Sequence, residues 1–230
     1  MIKLVIDLGK ACDDFQRATL RNLSCKIIQV DEIWSFVYAK DKRLSDEMKD
    51  KDGVGSVWTW VAMCPDTKLV AANYTGNRDT EAAIEFMFDL KRRFRRKFTI
   101  VSDGLNCYTE AVGIAFQGRV NFARMIKQYD RRGWYVGAIR GVVSGNVDVK
   151  NISTSFIERQ NLTIRTHCKR FVRQTNAHSK RIENHRHALA IHFMYYNFCK
   201  IHQTLRVTPA VEAKITDHVW EVEELLGLLD

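Results

Sequence analysis

Ile28-Gln29-Val30-Asp31-Glu32-Ile33-Trp34-Ser35-Phe36-Val37 is the stretch whose reading decides the fold. Apolar side chains occupy both parities of the run, which marks a central strand covered on two sides rather than a half-exposed one. Asp31 lies in the middle of it. A carboxylate inside a buried strand is costly unless it is paired or holds a metal ion, so this acid requires company. Glu32 is the rival acid beside it, and strand alternation sends it to the opposite face.

Two further acids answer to Asp31. Phe98-Thr99-Ile100-Val101-Ser102-Asp103-Gly104 is a second apolar run, ending on Asp103. Thr154-Ser155-Phe156-Ile157-Glu158-Arg159-Gln160-Asn161-Leu162 opens a helix-like segment that carries Glu158. Taken singly, Asp103 beside Gly104 suits a turn, and Glu158 suits the first turn of a helix, where the dipole favours negative charge. Taken together, on a basic chain without a zinc-type His/Cys array, they suggest a carboxylate cage for hard divalent cations acting on phosphodiesters. The histidines (His167, His178, His185, His187, His192, His202 and His218) lack ligand spacing, and His185 with His187 cannot share a helix face. Trp34, Trp58 and Trp60 read as core.

Charge points the same way. The 230 residues carry a formal net charge of +9 and 46% hydrophobic content, enough for one substantial core and a polyanionic partner. Between Asn151 and Arg206 ten Lys and Arg face only Glu158 and Glu183; beyond Arg206 the sign reverses, with six acids against Lys214. The basic block thus surrounds Glu158, where a DNA backbone would lie. The run Lys91-Arg92-Arg93-Phe94-Arg95-Arg96-Lys97 says less, because a solvated face at a helix C-terminus explains it. Six cysteines without a C-x-x-C pair fit free thiols in a reducing compartment. No run of transmembrane length and no signal peptide stand out, so a cytoplasmic protein is expected.

The periodicities give an order of elements. Residues 2–20 read as a helix, 27–39 as a strand, 40–52 as a charged loop, and 54–63 with 69–74 as a hairpin. Asp79 is the expected N-cap of a helix reaching Arg96, with Ala83, Met87, Leu90 and Phe94 as its buried stripe. A strand at 98–102, a helix at 106–116 and a strand at 120–128 follow. The glycine-rich segment 130–150 reads as a long loop. Helices are expected at 155–173 and 179–201, a short one at Thr208-Pro209, and another at 220–229. This order describes an α/β, RNase H-like mixed sheet flanked by helices, with a helical C-terminal extension. In that architecture strands one and four are neighbours, so Asp31 and Asp103 would meet across 72 positions.

The residues also carry a resemblance. Val30-Asp31-Glu32-Ile33-Trp34-Ser35-Phe36-Val37, Ser102-Asp103-Gly104-x-x-x-Tyr108 and Ile157-Glu158-Arg159-Gln160-Asn161-Leu162-Thr163-Ile164-Arg165 resemble the three acidic motifs of IS1-type DDE transposases. The closing stretches Phe193–Phe198 and His202–Ala210 are similar to the same family's C-terminal region. The resemblance implies a retroviral-integrase-like catalytic domain that cuts at transposon ends and joins the freed 3′ hydroxyls to target DNA. It implies Asp31, Asp103 and Glu158 as ligands of Mg²⁺, with Mn²⁺ able to substitute. Two ions are expected, roughly 3.5–4 Å apart as in other two-metal sites. It implies a phosphate contact for Arg165, two helical turns beyond Glu158, and a basic surface of Arg159, Lys169, Arg170 and Arg173, with Asn161 orienting the site or the DNA.

Members of that family carry a helix-turn-helix before the catalytic domain, and Met1–Phe15 resembles its last helix. Residues 1–25 are therefore expected to be a remnant of that module, 26–206 the catalytic domain and 207–230 a helical tail. The partners implied are transposon-end and target DNA and further copies of the chain assembled on them, with no membrane and no small-molecule substrate, in the nucleoid of a bacterium or archaeon. Two other readings remain open at this point: an RNase H-like nuclease that cuts without joining, and a non-catalytic DNA-binding remnant.

Overall fold

The computed structural model describes residues 2–49 and 51–229. Met1, Asp50 and Asp230, which fall in the first helix, the charged loop and the tail as read from the sequence, lie outside the described residues. The chain runs α1 (Ile2–Thr19), β1 (Ile27–Val37), α2 (Asp46–Lys49), β2 (Gly55–Met63), β3 (Val70–Gly76), α3 (Thr80–Arg93), β4 (Thr99–Ser102), α4 (Cys107–Phe116), β5 (Asn121–Tyr129), β6 (Tyr135–Ser144), α5 (Ser155–His167), α6 (Ile182–Met194), α7 (Pro209–Glu212) and α8 (Val222–Leu226).

The six strands form one sheet in the order β3-β2-β1-β4-β5-β6. β1, β2 and β3 pair antiparallel, β4 and β5 lie parallel to β1, and β6 returns antiparallel to β5. The first five strands have the order and directions of an RNase H-like fold, as the element order predicts. β1 is covered on both sides. Its even positions Ile28 and Val30 enter a core with Trp60, Phe86, Tyr108 and Phe122, while Ile33 joins Val61, Ile157, Ile164, Leu189 and Phe193 on the other face. α1, α3 and α4 therefore pack on one layer and α5 on the other, with α6 contributing side chains to both clusters.

Local chemistry sets the element ends. The Asp79 side chain accepts the Ala82 N–H at 2.9 Å and starts α3; Thr208 caps α7 ahead of Pro209, as expected. α3 stops at Arg93 rather than Arg96, and Phe94 is only partly buried. Arg93 is not a solvated charge. It is 4% exposed, pairs with Asp89 at 3.0 Å and donates to the Gln16 and Leu20 carbonyls, fastening α1 to α3. A further fastening of α1 is a close crossing with α6, where Gly9 sits against His187.

Five expectations require correction. Residues 130–150 are not a loop: β6 hairpins back on β5, exposed along most of its length, which is why no alternation marks it. The helix expected over 155–173 ends at His167, Cys168 turns extended, and a 3₁₀ turn at Lys169–Phe171 follows. The helix expected over 179–201 is α6 and then a π-helical turn, Tyr195–Cys199. Only Trp60 of the three tryptophans is fully buried; Trp34 and Trp58 are half-buried, and the Arg78 guanidinium lies over the Trp58 ring. The charged stretch 40–52 holds a 3₁₀ turn, Asp41–Arg43, as well as α2.

Candidate active site

The acids meet because the sheet register brings them together. β1 and β4 pair in parallel with Ile27 beside Thr99 and Gln29 beside Val101. Two residues on from each lie Asp31 and Asp103, at the end where β4 stops and β1 continues. One carboxylate oxygen from each of Asp31, Glu32 and Asp103 lies within 4.8 Å of the others.

Each acid is held differently. Asp31 accepts the Glu32 backbone N–H through Oδ1 at 2.9 Å and the Asn161 side-chain amide through Oδ2 at 2.9 Å. No cation pairs with it among the described residues, and burial, reinforced by Glu32 and Asp103, raises its pKa to about 8. Asp103 takes the Leu105 N–H on Oδ1 at 2.9 Å, so it does cap its turn. Arg124 of β5 ties that turn down, donating to the Gly104 carbonyl and to Asn106 Oδ1.

Glu32 lies on the α4 side, as alternation predicts, yet its carboxylate still reaches the group. Arg78 donates to Oε1 at 2.6 and 2.8 Å, and the buried Tyr108 hydroxyl donates to Oε2 at 3.1 Å. Burial and Asp103 push the Glu32 pKa up against these partners. Tyr108 is itself pushed well above the usual phenol range by burial and by Glu32, so it stays a donor. This gives the Asp-Gly-x-x-x-Tyr spacing a physical role: Tyr108 is the α4 residue that satisfies the second acid of β1.

Glu158 stands apart from that group. Its Oε1 accepts from Thr154 Oγ1 at 2.5 Å, and its other oxygen pairs with Lys127 of β5. Burial opposes the Lys127 charge, but the Glu158 carboxylate outweighs it and raises the pKa. The helix that carries Glu158 is anchored to β1 by Gln29. The buried Gln29 Oε1 accepts the Phe156 and Ile157 N–H groups, both at 3.0 Å, using two of the free donors of the first turn of α5. Asn161, one turn beyond Glu158, reaches Asp31 from there. Its Oδ1 is buried without a donor.

The expected basic surface divides into two kinds. Arg159, Lys169 and Arg173 are exposed. Arg165 is half-buried and donates to the Phe171 carbonyl at 2.9 Å, and burial with the nearby Arg173 lowers its pKa. Arg170 donates to Ser179 Oγ at 2.7 Å. Gln29, Arg78, Arg124 and Lys127 are site residues that sequence reasoning passes over, and Glu32 was weighed there only as a rival acid on the opposite face. Glu32 had a signal in its adjacency to Asp31. Lys127 and Arg124 had none, because they act through pairing between β5 and its neighbours.

No family model matches the chain, and no curated protein matches it. Among solved structures, it is similar to piggyBac transposase in a synaptic complex with hairpin DNA, over 89% of this chain and 51% of that one, at 11% identity and a TM-score of 0.38. It is also similar to the chain in the Mos1 strand transfer complex, over 84% of this chain and 59% of that one, at 12% identity and a TM-score of 0.29. The chain thus spans between about half and three-fifths of the length of these two transposase chains. The order and directions of its strands stand independently of either likeness.

Proposed function

We propose that this chain is a DDE transposase catalytic domain of IS1 type, cleaving DNA strands and transferring 3′ hydroxyls with Asp31, Asp103 and Glu158. In this reading residues 26–206 are the catalytic unit, flanked by 1–25 and 207–230. The observation that carries it is the meeting of Asp31, Glu32 and Asp103 where β1 outruns β4, with Glu158 on the helix anchored beside them.

Divalent cations fit this donor set. It is all oxygen, and its acids repel one another, Glu32 and Asp103 adding to the burial that raises the pKa of Asp31. Asp31 and Asp103 would hold the ions and Glu158 would complete one of them. When bound, Mg²⁺ would polarise the scissile phosphate and lower the pKa of the attacking water or 3′ hydroxyl. The chain's own residues do the positioning. Asn161 fixes the orientation of the Asp31 carboxylate, the Arg124-held turn fixes Asp103, and Arg78 with Tyr108 neutralises Glu32 so that it does not compete. Lys127 holds the Glu158 carboxylate in an ion pair. Arg159, Lys169 and Arg173 are free to meet phosphates; Arg165 and Arg170 would do so while also bracing the turn after α5.

Replacing Asp31 or Asp103 by Asn, or Glu158 by Gln, removes a carboxylate ligand without changing shape. Each variant is expected to lose cleavage and joining of a branched oligonucleotide by at least about 100-fold, the scale of losing a positioned electrostatic group. DNA binding should be kept, since none of the three substitutions removes a cation that could meet phosphate. Cleavage that persists in any one of them, or in excess chelator, overturns the reading.

A further inference from the structure

The flank of α5 turned away from Asp31 forms one wall of a cleft of about 490 Å³. The π-helical turn after α6 and residues 200–204 form the other, and Lys68 of the β2–β3 turn also lines it. The volume falls within the range of small-ligand sites. None of the lining residues is acidic, whereas Lys68, Arg159, His167, Lys200 and His202 are basic. Lys200 Nζ lies 3.0 Å from a ring nitrogen of His167, and burial together with Lys200 lowers the His167 pKa. A neutral His167 accepts from Lys200, so the cations of the cleft are Lys68, Arg159 and Lys200, with no carboxylate in its lining to pair them. Asp66, in the turn beside Lys68, is the carboxylate that acts on that lysine.

Two features make the cleft more than an anion trap. Phe156, Leu162 and Ile201 are 41%, 51% and 56% exposed, giving it flat apolar walls among the cations, and the Lys68 ammonium lies 3.6 Å from the Phe156 ring centre. Gln160, 2% exposed and part of the lining, has an Nε2 donor with no acceptor. Lys68, which also donates to the Pro65 carbonyl, covers one face of Phe156, and charge beside the rest of an exposed ring is how single strands are held: phosphates on cations, bases against rings. π-helical turns also recur at functional sites.

We propose that this cleft binds one nucleotide of a DNA strand, with its phosphate on Lys200 and Lys68 and its base against Phe156. That the nucleotide belongs to DNA rests on the proposed reaction, because Arg159 of the cleft directly follows Glu158. The cleft itself needs none of the carboxylate chemistry.

The test is binding of a short labelled single-stranded oligonucleotide to the full chain in chelator, by fluorescence anisotropy across a salt series. Lys200→Gln and Phe156→Ala are each expected to weaken binding about fivefold or more, the lower end for a stacked base. Lys200→Gln should also reduce the salt slope by roughly 0.7, the value for one single-strand phosphate. The wild-type chain gives a second readout that requires no variant. The His167 and His202 ring resonances should shift on adding oligonucleotide and move less with inorganic phosphate or a free deoxynucleotide at equal concentration. Unchanged affinity and slope in both variants, or histidine resonances that do not move, overturn the proposal. Equal shifts with phosphate alone reduce the site to an anion trap and overturn it as well. Asp103→Asn separates the two readings: it should bind as tightly as wild type and fail to cut. A chain that never cuts but shifts its histidines keeps the cleft and loses the catalytic reading; a chain that cuts with unmoved histidines does the reverse.

Discussion

Asp31 makes the carboxylate group visible to a stability measurement without any DNA. Its pKa stands at about 8 in the folded chain against 3.8 as a free side chain. The folded state therefore holds a proton that the unfolded state has released, and stability falls as pH rises between those values. Two buried histidines act in the opposite sense below about 6.5. His185 and His192 are both lowered to about 4, chiefly by burial, and resist the charge that acid imposes. The window pH 6.5 to 8 lies above both histidines, and within it the Cys64 thiol, held down to about 6 chiefly by its hydrogen bond with Cys25, works against the Asp31 decline in wild type and variant alike. There, in chelator, the chain should lose at most about 1.4 kcal/mol per pH unit through this one group, and Asp31→Asn should flatten the decline. Thermal melts would show it, and Mg²⁺ should raise Tm more at pH 8 than at pH 6.5. A wild-type decline matching that of Asp31→Asn would refute the assignment of the slope.

Among the elements, α1 is the one whose attachment is least apparent from its own sequence. It crosses α6 so closely that a Cβ on Gly9 would lie 2.4 Å from His187 Cβ and 2.7 Å from its backbone oxygen. Backbone cannot yield as a side-chain tip can. Gly9→Ala should gain up to about 1 kcal/mol of helix propensity yet lose more by prising α1 from α6, for a net loss of about 1–3 kcal/mol as in other overpacked contacts. Chemical denaturation would measure it, and a neutral or stabilising result would show that the crossing is slack. β6 behaves in the reverse way. Val136, Ile139 and Val142 are 62%, 53% and 43% exposed, so Val136→Thr or Val142→Thr should change stability by less than about 0.5 kcal/mol. Trp60→Ala, in the fully buried ring cluster with Phe86 and Tyr108, should cost about 3–5 kcal/mol.

For the whole molecule, the sheet was legible because burial writes period and two-sided apolarity into β1, β2, β3 and β4. The glycines and open faces of β6 erase that signal, and a strand supported by one neighbour alone leaves no other. Asp31 and Asp103 could be placed side by side because a parallel pair preserves spacing: the offset of 72 between them is the same offset that separates Ile27 from Thr99. Glu158 could be placed on its helix but not paired, since its ion pair with Lys127 depends on where β5 lies. The basic block was legible as charge, but its division into exposed Arg159, Lys169 and Arg173 and backbone-bound Arg165 depends on a turn after α5 that periodicity smoothed over.

That offset of 72 has a consequence for the chain while it is being made. Emerging from the ribosome at 5–20 residues per second, β1 waits roughly 4–14 s before β4 exists to cover its second edge. β2 and β3 can close on the first edge in that interval. The other edge, flanked by Ile28, Val30 and Ile33, stays open to any strand that passes. Nascent chains arrested once β3 is free should therefore aggregate or recruit chaperones, and those arrested after β5 has cleared the exit tunnel should resist protease. Equal protection at both arrest points would show that β1 is guarded before its partner arrives.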